Sequence, residues 1–221
     1  MITSPDNEKL KLVRKLHDRR WREKLGLFFV EGEDLIDAAT VKPVELLVAG
    51  ENVDPGLLAD VSTAGHAPRV IAIYRRGDLP DPAPRAVTLA LWRVADPGNV
   101  GTLIRAADAF GGAVALSAGC ADPTSPKALR ASTGSIWRVP LVPFPCDGAS
   151  RRVALVAHGG EPIDGLDLRG ELTFLLGAER DGLPDEIGRE LEARIPIDGA
   201  ESLNVAAAGA IALYEWRRQN V

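Results

Sequence analysis

Cysteine and histidine are scarce in this chain of 221 residues: there are two cysteines, Cys120 and Cys146, and three histidines, His17, His66 and His158. Two thiols do not make the multi-bridge framework of a small secreted protein, and the histidines are scattered without ligand spacing, which argues against zinc or any other structural metal. Aromatic residues make up only 5% of the chain, so alanine, valine, leucine and glycine must fill the core. No apolar run approaches the length of a membrane span, and the opening M-I-T-S-P-D-N-E-K has no apolar h-region. The expectation is a cytoplasmic protein with no membrane partner. A net charge of −5 argues against a surface coated throughout in basic residues. Internal repeats and low-complexity tracts are also missing.

What is present is uneven. Lys9, Lys11, Arg14, Lys15, Arg19, Arg20, Arg22 and Lys24 face only Asp18 and Glu23 in the same segment, a local charge of +6 in an acidic protein. Such a run is either a solvated helix face or an RNA-facing surface, and the imbalance favours RNA. One helix is expected over residues 7–25, with Leu10, Val13 and Leu16 as its apolar stripe. Strands follow at Leu27–Val30, Val44–Ala49 and Val70–Tyr74, with helices at Asp34–Ala39 and Pro55–Thr63. Arg75 to Arg85 (R-R-G-D-L-P-D-P-A-P-R) reads as a proline-stiffened linker. The expected organisation is a small α/β domain over residues 1–75, a linker over 76–86 and a larger domain over 87–221.

The second domain is organised around Val94–Gly112, V-A-D-P-G-N-V-G-T-L-I-R-A-A-D-A-F-G-G. It follows a strand, Val87–Leu91, and leads through turn residues into a helix from about Val100 to Phe110. A polar loop at the carboxyl end of a strand is where α/β proteins place ligands. Arg105, six residues after Asn99, is expected to point toward the same crevice. Further strands are expected at Ala113–Leu116, Arg138–Val142, Val153–Ala157, Leu172–Leu176 and Ala193–Ile197, and short helices at Lys127–Ala131 and Asp185–Glu192. A final helix is expected at Ser202–Arg218. Its A-A-A-G-A face (Ala206–Ala210) is bare enough for close packing against another element or a second subunit.

Three loops, each after an expected strand, carry a resemblance. They read D-P-G-N-V-G-T-L-I-R-A-A-D-A-F-G, L-L-G-A-E-R-D-G-L and I-P-I-D-G-A-E-S-L-N-V-A-A-A-G-A-I-A-L-Y-E. In this order and spacing they closely resemble the signature motifs of the SpoU (TrmH-like) RNA ribose methyltransferases of the SPOUT class. The segment Ala131–Pro140 resembles that family's middle region. The amino-terminal K-L-V-R-K-L-H-D-R-R…F-F-V-E-G-E-D-L resembles the ribosomal-protein-like RNA-binding domain that many members carry. Departures are slight: Ala206 and Ala207 replace the Ser and Val common in relatives, and the stretch Phe144–Arg152 is short.

The resemblance implies an α/β fold with a SPOUT-type parallel sheet and a carboxyl-terminal deep trefoil knot. It implies a homodimer that binds S-adenosyl-L-methionine and methylates the ribose 2′-hydroxyl of rRNA or tRNA. By position, Asn99, Arg105, Glu179, Ser202 and Asn204 match the catalytic motif residues, while Gly177, Ile195, Ile197 and Leu203 match the cofactor-binding positions. No histidine falls in the three motifs, and a guanidinium holds its proton in nearly every protein setting. The preferred role for Arg105 is therefore to stabilise alkoxide charge; a base role stays open and would need strong desolvation or a neighbouring cation. Blander roles stay open: Glu179 or Ser202 as helix caps, and Trp92 as either a core residue or a platform for a base. The alternative function is an inactive RNA-binding or ribosome-associated factor of the same fold. A nicotinamide-dependent enzyme is disfavoured because G-x-G-x-x-G is missing.

Overall fold

The computed structural model describes residues 1–65, 67–144, 150–178 and 182–220, so His66, Cys146 and Glu179 lie outside the described residues. Helix α1 (Glu8–Leu16) starts at Asn7, whose side chain accepts the Lys9 amide, and buries Leu10, Val13 and Leu16. The single helix expected over 7–25 is two. Asp18 turns to an extended conformation and its carboxylate accepts the Arg20 amide, starting α2 (Arg19–Leu25), which left-handed Gly26 ends at φ 62°. A capping aspartate in the middle of an amphipathic run was the signal for that break.

Strands β1 (Leu27–Glu31), β2 (Glu45–Val48) and β3 (Val70–Arg75) form an antiparallel sheet in the order β1-β3-β2. Helices α3 (Glu33–Asp37) and α4 (Pro55–Asp60) connect them. Alternation along the strands divides the side chains between two cores. Phe29, Leu47, Ile71 and Ile73 pack with Leu10, Val13 and Leu58. Phe28, Val30, Ala72 and Tyr74 face the other way, into a cluster that holds Trp137, Ile136 and much of the remaining chain. The sheet is therefore buried on both faces, and residues on either side of the proline-rich stretch share one core.

The second sheet has seven strands, all parallel: β4 (Val87–Leu91), β5 (Ala113–Leu116), β6 (Leu141–Val142), β7 (Arg151–Leu155), β8 (Glu161–Pro162), β9 (Leu172–Leu176) and β10 (Leu191–Arg194), in the order β6-β5-β4-β9-β7-β10-β8. The two central strands, β4 and β9, are buried at every residue: helices α5 (Pro97–Ala109) and α7 (Val205–Gln219) cover one face, and Phe144, Leu183 and Ile187 from loops pack on the other. These two helices and α6 (Pro126–Ser132) pack together. Two glycines set their spacing. A Cβ on Gly101 would overlap the Ala128 carbonyl of α6, and one on Gly209 would overlap the Leu103 side chain of α5.

Several boundaries differ from expectation for identifiable reasons. The Arg138 and Val139 amides both bond the Ser135 carbonyl, extending the 3₁₀ turn at Ser135–Trp137 and delaying the strand expected at Arg138–Val142 to Leu141. The helix expected at Asp185–Glu192 is absent: Gly188 weakens it, and the Glu190 amide bonds the Arg152 carbonyl, drawing the chain into β10. Pro196 has no amide to donate, so β10 ends before it. The short edge strand β8 was not anticipated, because two residues including a proline carry almost no strand signal.

Candidate active site

Asp96 accepts the Asn99 amide at 3.0 Å and so opens α5 at Pro97, a turn earlier than the pattern suggested. Lys127 meets the same carboxylate at 2.7 Å. The Lys127 hydrogen bond, joined by the Asn99 amide, holds the Asp96 carboxyl below the usual range. Asn99 is thereby fixed in the first turn of α5. Its Oδ1 accepts from Asn204 Nδ2 at 3.0 Å, joining two loops 105 residues apart in sequence. Asn204, rather than Ser202, is the N-cap of α7, because its own Oδ1 accepts the Ala206 amide at 2.8 Å. One side chain thus caps a helix with its oxygen and reaches Asn99 with its nitrogen.

A cavity of about 600 Å³ opens beside this junction, at the carboxyl ends of β7, β9 and β10, where parallel sheets place their ligands. Gly177, Ile195, Ile197, Ser202, Leu203 and Asn204 all line it. Gly177 has no room for a side chain, since a Cβ would fall against the Gly182 and Leu183 backbone. The Ala178 and Gly182 main chains exchange hydrogen bonds at 3.2 and 3.0 Å. Glu179 stands between them, outside the described residues.

Sequence reasoning missed two polar residues of the wall, His158 and Arg189. His158 follows β7 and precedes Gly159 and Gly160, both at positive φ. That glycine pair at a parallel strand's carboxyl end was the available signal. Arg189 is held by Glu192 at 2.8 Å and by the Pro184 carbonyl at 3.3 Å.

Arg105 does not share the crevice of Asn99 within one chain. Six helical residues carry it about 9 Å along the axis and about 240° around it. It is exposed, it is not among the described residues that line the cavity, and its Nη1 donates to Thr133 Oγ1 at 3.3 Å. Trp92 packs on Phe144 with ring centroids 5.7 Å apart.

The eight amino-terminal cations divide sharply. Arg22 is corrected from an RNA-binding to a structural residue: it is 3% exposed, and its guanidinium is consumed by Asp122 Oδ2 and the Leu16 and His17 carbonyls, each at 2.8 Å. Lys9 pairs with Glu45, Lys11 with Glu8 and Arg19 with Glu23, while Arg14 donates to the Pro5 carbonyl. Lys15, Arg20 and Lys24 are exposed, without a salt bridge among the described residues, and Lys15 and Lys24 flank half-buried Trp21. The Lys15 and Lys24 ammonium groups lie 5.4 and 4.9 Å from its ring centroid.

Comparison with known proteins follows the same lines. The model of the SpoU rRNA Methylase family matches residues 86–214. The 23S rRNA (guanosine(2553)-2′-O)-methyltransferase RlmP of Bacillus subtilis is 32% identical over 98% of this chain and 98% of its own. Among solved structures, an AdoMet-bound rRNA methyltransferase from Sinorhizobium meliloti superposes with a TM-score of 0.87 at 28% identity, covering 100% of this chain and 98% of that one. The SpoU methyltransferase AviRb of Streptomyces viridochromogenes, in complex with AdoMet, gives 0.84 at 26% identity over 96% and 98%.

Proposed function

The chain belongs to the SpoU rRNA methylase family, and from that premise we propose that it transfers a methyl group from S-adenosylmethionine to a ribose 2′-hydroxyl of structured RNA. The observation that carries this reading is the cavity at the strand ends, where residues of the second and third motifs converge and Asn204 ties them to the first. The wall suits the donor. Its volume lies in the range of small-molecule sites, Leu183, Ile195 and Leu203 offer apolar surface for a purine, and Gly177 leaves its backbone open to close approach.

When bound, S-adenosylmethionine supplies an electrophilic methyl group on a sulfonium. The protein's share is to align the acceptor oxygen, stabilise its developing charge and exclude water. Arg105 serves as the cation for that charge, and Asn99 with Asn204 holds the rim between α5 and α7. Because Arg105 lies outside the cavity lining of its own chain, we place a second copy across α7, whose Ala207, Ile211 and Tyr214 form an exposed stripe. That copy presents its guanidinium to this cavity. The knotted passage implied by the family is supported by the strand order: β10 passes β7 to lie between it and β8, and α7 returns onto α5 and β9.

RNA capture falls to residues 1–75 and chemistry to residues 87–221. Of the eight basic residues, Lys15, Arg20 and Lys24 are the ones left to meet phosphate, with the Trp21 ring between Lys15 and Lys24 offering a stacking face. Among the described residues no helix is long and apolar enough to cross a membrane, and an RNA substrate supports a cytoplasmic location. Methyl-labelled S-adenosylmethionine and total RNA from cells lacking this chain test the activity. Label in RNA is expected, and its absence together with no S-adenosylmethionine binding by calorimetry would refute it. Arg105→Lys is expected to keep part of the rate, since charge survives the loss of the planar fork.

A further inference from the structure

Thr133 stands where a glycine is usual. It closes α6 with φ 50° and ψ 46°, in the left-handed region that a β-branched side chain rarely enters. The next residue, Gly134, is also left-handed, at φ 81°. Helices commonly end this way on glycine or asparagine, so threonine is the costlier choice at this position. Such outliers persist only where the surroundings over-determine them, and they cluster at functional sites.

The surroundings that determine this one come from the amino-terminal half. A Cβ on Gly134 would lie 2.5 Å from the Ala38 Cβ, just after α3, so the loop is seated hard against that turn. Trp137 Nε1 donates to the Leu35 carbonyl at 3.2 Å. On α6 itself, Arg130 donates to buried Glu31 at 3.0 Å, and that carboxylate also takes the Ser62 and Thr63 hydroxyls, each at 2.6 Å. The loop is therefore pinned on both sides of Thr133.

What the loop presents is a hydroxyl. Thr133 Oγ1 donates to the Ala131 carbonyl at 3.5 Å, which turns a lone pair toward Arg105, whose Nη1 donates to it at 3.3 Å. Asp108, three residues further along α5, is occupied by Arg138 at 2.6 Å. The nature of the acceptor matters. A carboxylate would also hold the guanidinium but would cancel the charge needed at a developing alkoxide. A neutral hydroxyl holds it and leaves the charge whole.

We propose that Thr133 is the positioning residue for Arg105, a strained neutral acceptor whose place is set by the amino-terminal half of the chain. This rests on the catalytic reading of Arg105 given above. The full-length chain, assayed with methyl-labelled S-adenosylmethionine and total RNA from cells lacking it, provides the test. Thr133→Val keeps the shape and removes the hydroxyl, so kcat is expected to fall about tenfold, the rate equivalent of one hydrogen bond, with KM for both substrates unchanged. Thr133→Ser is expected to recover most of that loss. Thr133→Gly relieves the backbone and is expected to raise the melting temperature while losing as much rate as Thr133→Val. A merely structural residue would move stability and rate in the same direction. Wild-type kcat in Thr133→Val, or rate losses that follow melting temperature, would overturn the proposal. Arg105→Ala separates the two levels: if it turns over normally, the Arg105 reading falls and this inference with it. If it is inactive while Thr133→Val is normal, the Thr133 inference alone is wrong.

Discussion

Arg22 and Asp122 are 3% and 4% exposed and meet at 2.8 Å, with Arg76 completing the carboxylate's charge balance at 3.3 Å. Removing one member of a buried pair strands the other, so Arg22→Ala is expected to destabilise the fold by about 3–5 kcal/mol, read by urea denaturation. Lys15→Ala, Arg20→Ala and Lys24→Ala are each expected to leave stability within about 0.5 kcal/mol. They should instead weaken retention of total RNA and flatten its salt dependence. Tyr74 offers the opposite case: its hydroxyl is buried without a hydrogen-bond partner among the described residues, and burial pushes its pKa up. Tyr74→Phe is expected to be neutral or stabilising by up to about 1 kcal/mol. Composition told that the segment was basic, but not that Arg22 turns inward, because its partner Asp122 lies 100 residues away. The positions of Gly177, Ile195, Ile197 and Leu203 were legible through motif resemblance. Arg189 was not, since its segment carries no motif, and His158 was marked only by the glycine pair that follows it.

At the scale of elements, close helix packing is the device that holds the first and third motifs in register. Gly101 abuts a backbone carbonyl, which cannot yield, whereas Gly209 abuts the ends of leucine side chains, which can. Gly101→Ala is therefore expected to cost about 1–3 kcal/mol and more than Gly209→Ala, by thermal or urea denaturation of the two variants side by side. The parallel strands Val87–Leu91 and Leu172–Leu176 were legible as apolar runs, each with a single threonine, because both faces are covered. The start of α2 was not anticipated at all, and those of α5 and α7 were misplaced by about three residues each. In each the true N-cap, Asp18, Asp96 or Asn204, is a common turn residue whose capping bond decides the matter. Periodicity sees the apolar stripe and not the cap.

At the scale of the molecule, one apolar cluster runs from β1 and β3 through Trp137 into the parallel sheet. The parts proposed to capture RNA and to carry the chemistry are thus built on one continuous packing unit, which the proline-rich stretch between them disguised in the sequence. The polar part of the contact is sensitive to acid. Burial alone would raise the Asp122 carboxyl, but Arg76, the Thr124 amide and hydroxyl and Arg22 outweigh it and hold the pKa below the usual range. A depressed carboxylate contributes stability that is present above its unfolded pKa of about 3.9 and is lost as pH falls through the folded value. Urea midpoints are expected to fall below about pH 4, and Asp122→Asn, less stable at neutral pH, should show a shallower decline. The proposed second copy across α7 predicts that Ile211→Glu with Tyr214→Glu gives monomers in sedimentation and abolishes turnover while leaving each chain folded.

The central claim, that the cavity at the strand ends delivers a methyl group to a ribose oxygen, is tested most directly by where the label goes. RNA labelled by the wild-type chain, hydrolysed in alkali, should carry its label in alkali-stable dinucleotides, because a methylated 2′-oxygen cannot attack the neighbouring phosphate. Label recovered on bases in mononucleotides would contradict the account, as would label that enters RNA equally well with Arg105→Ala.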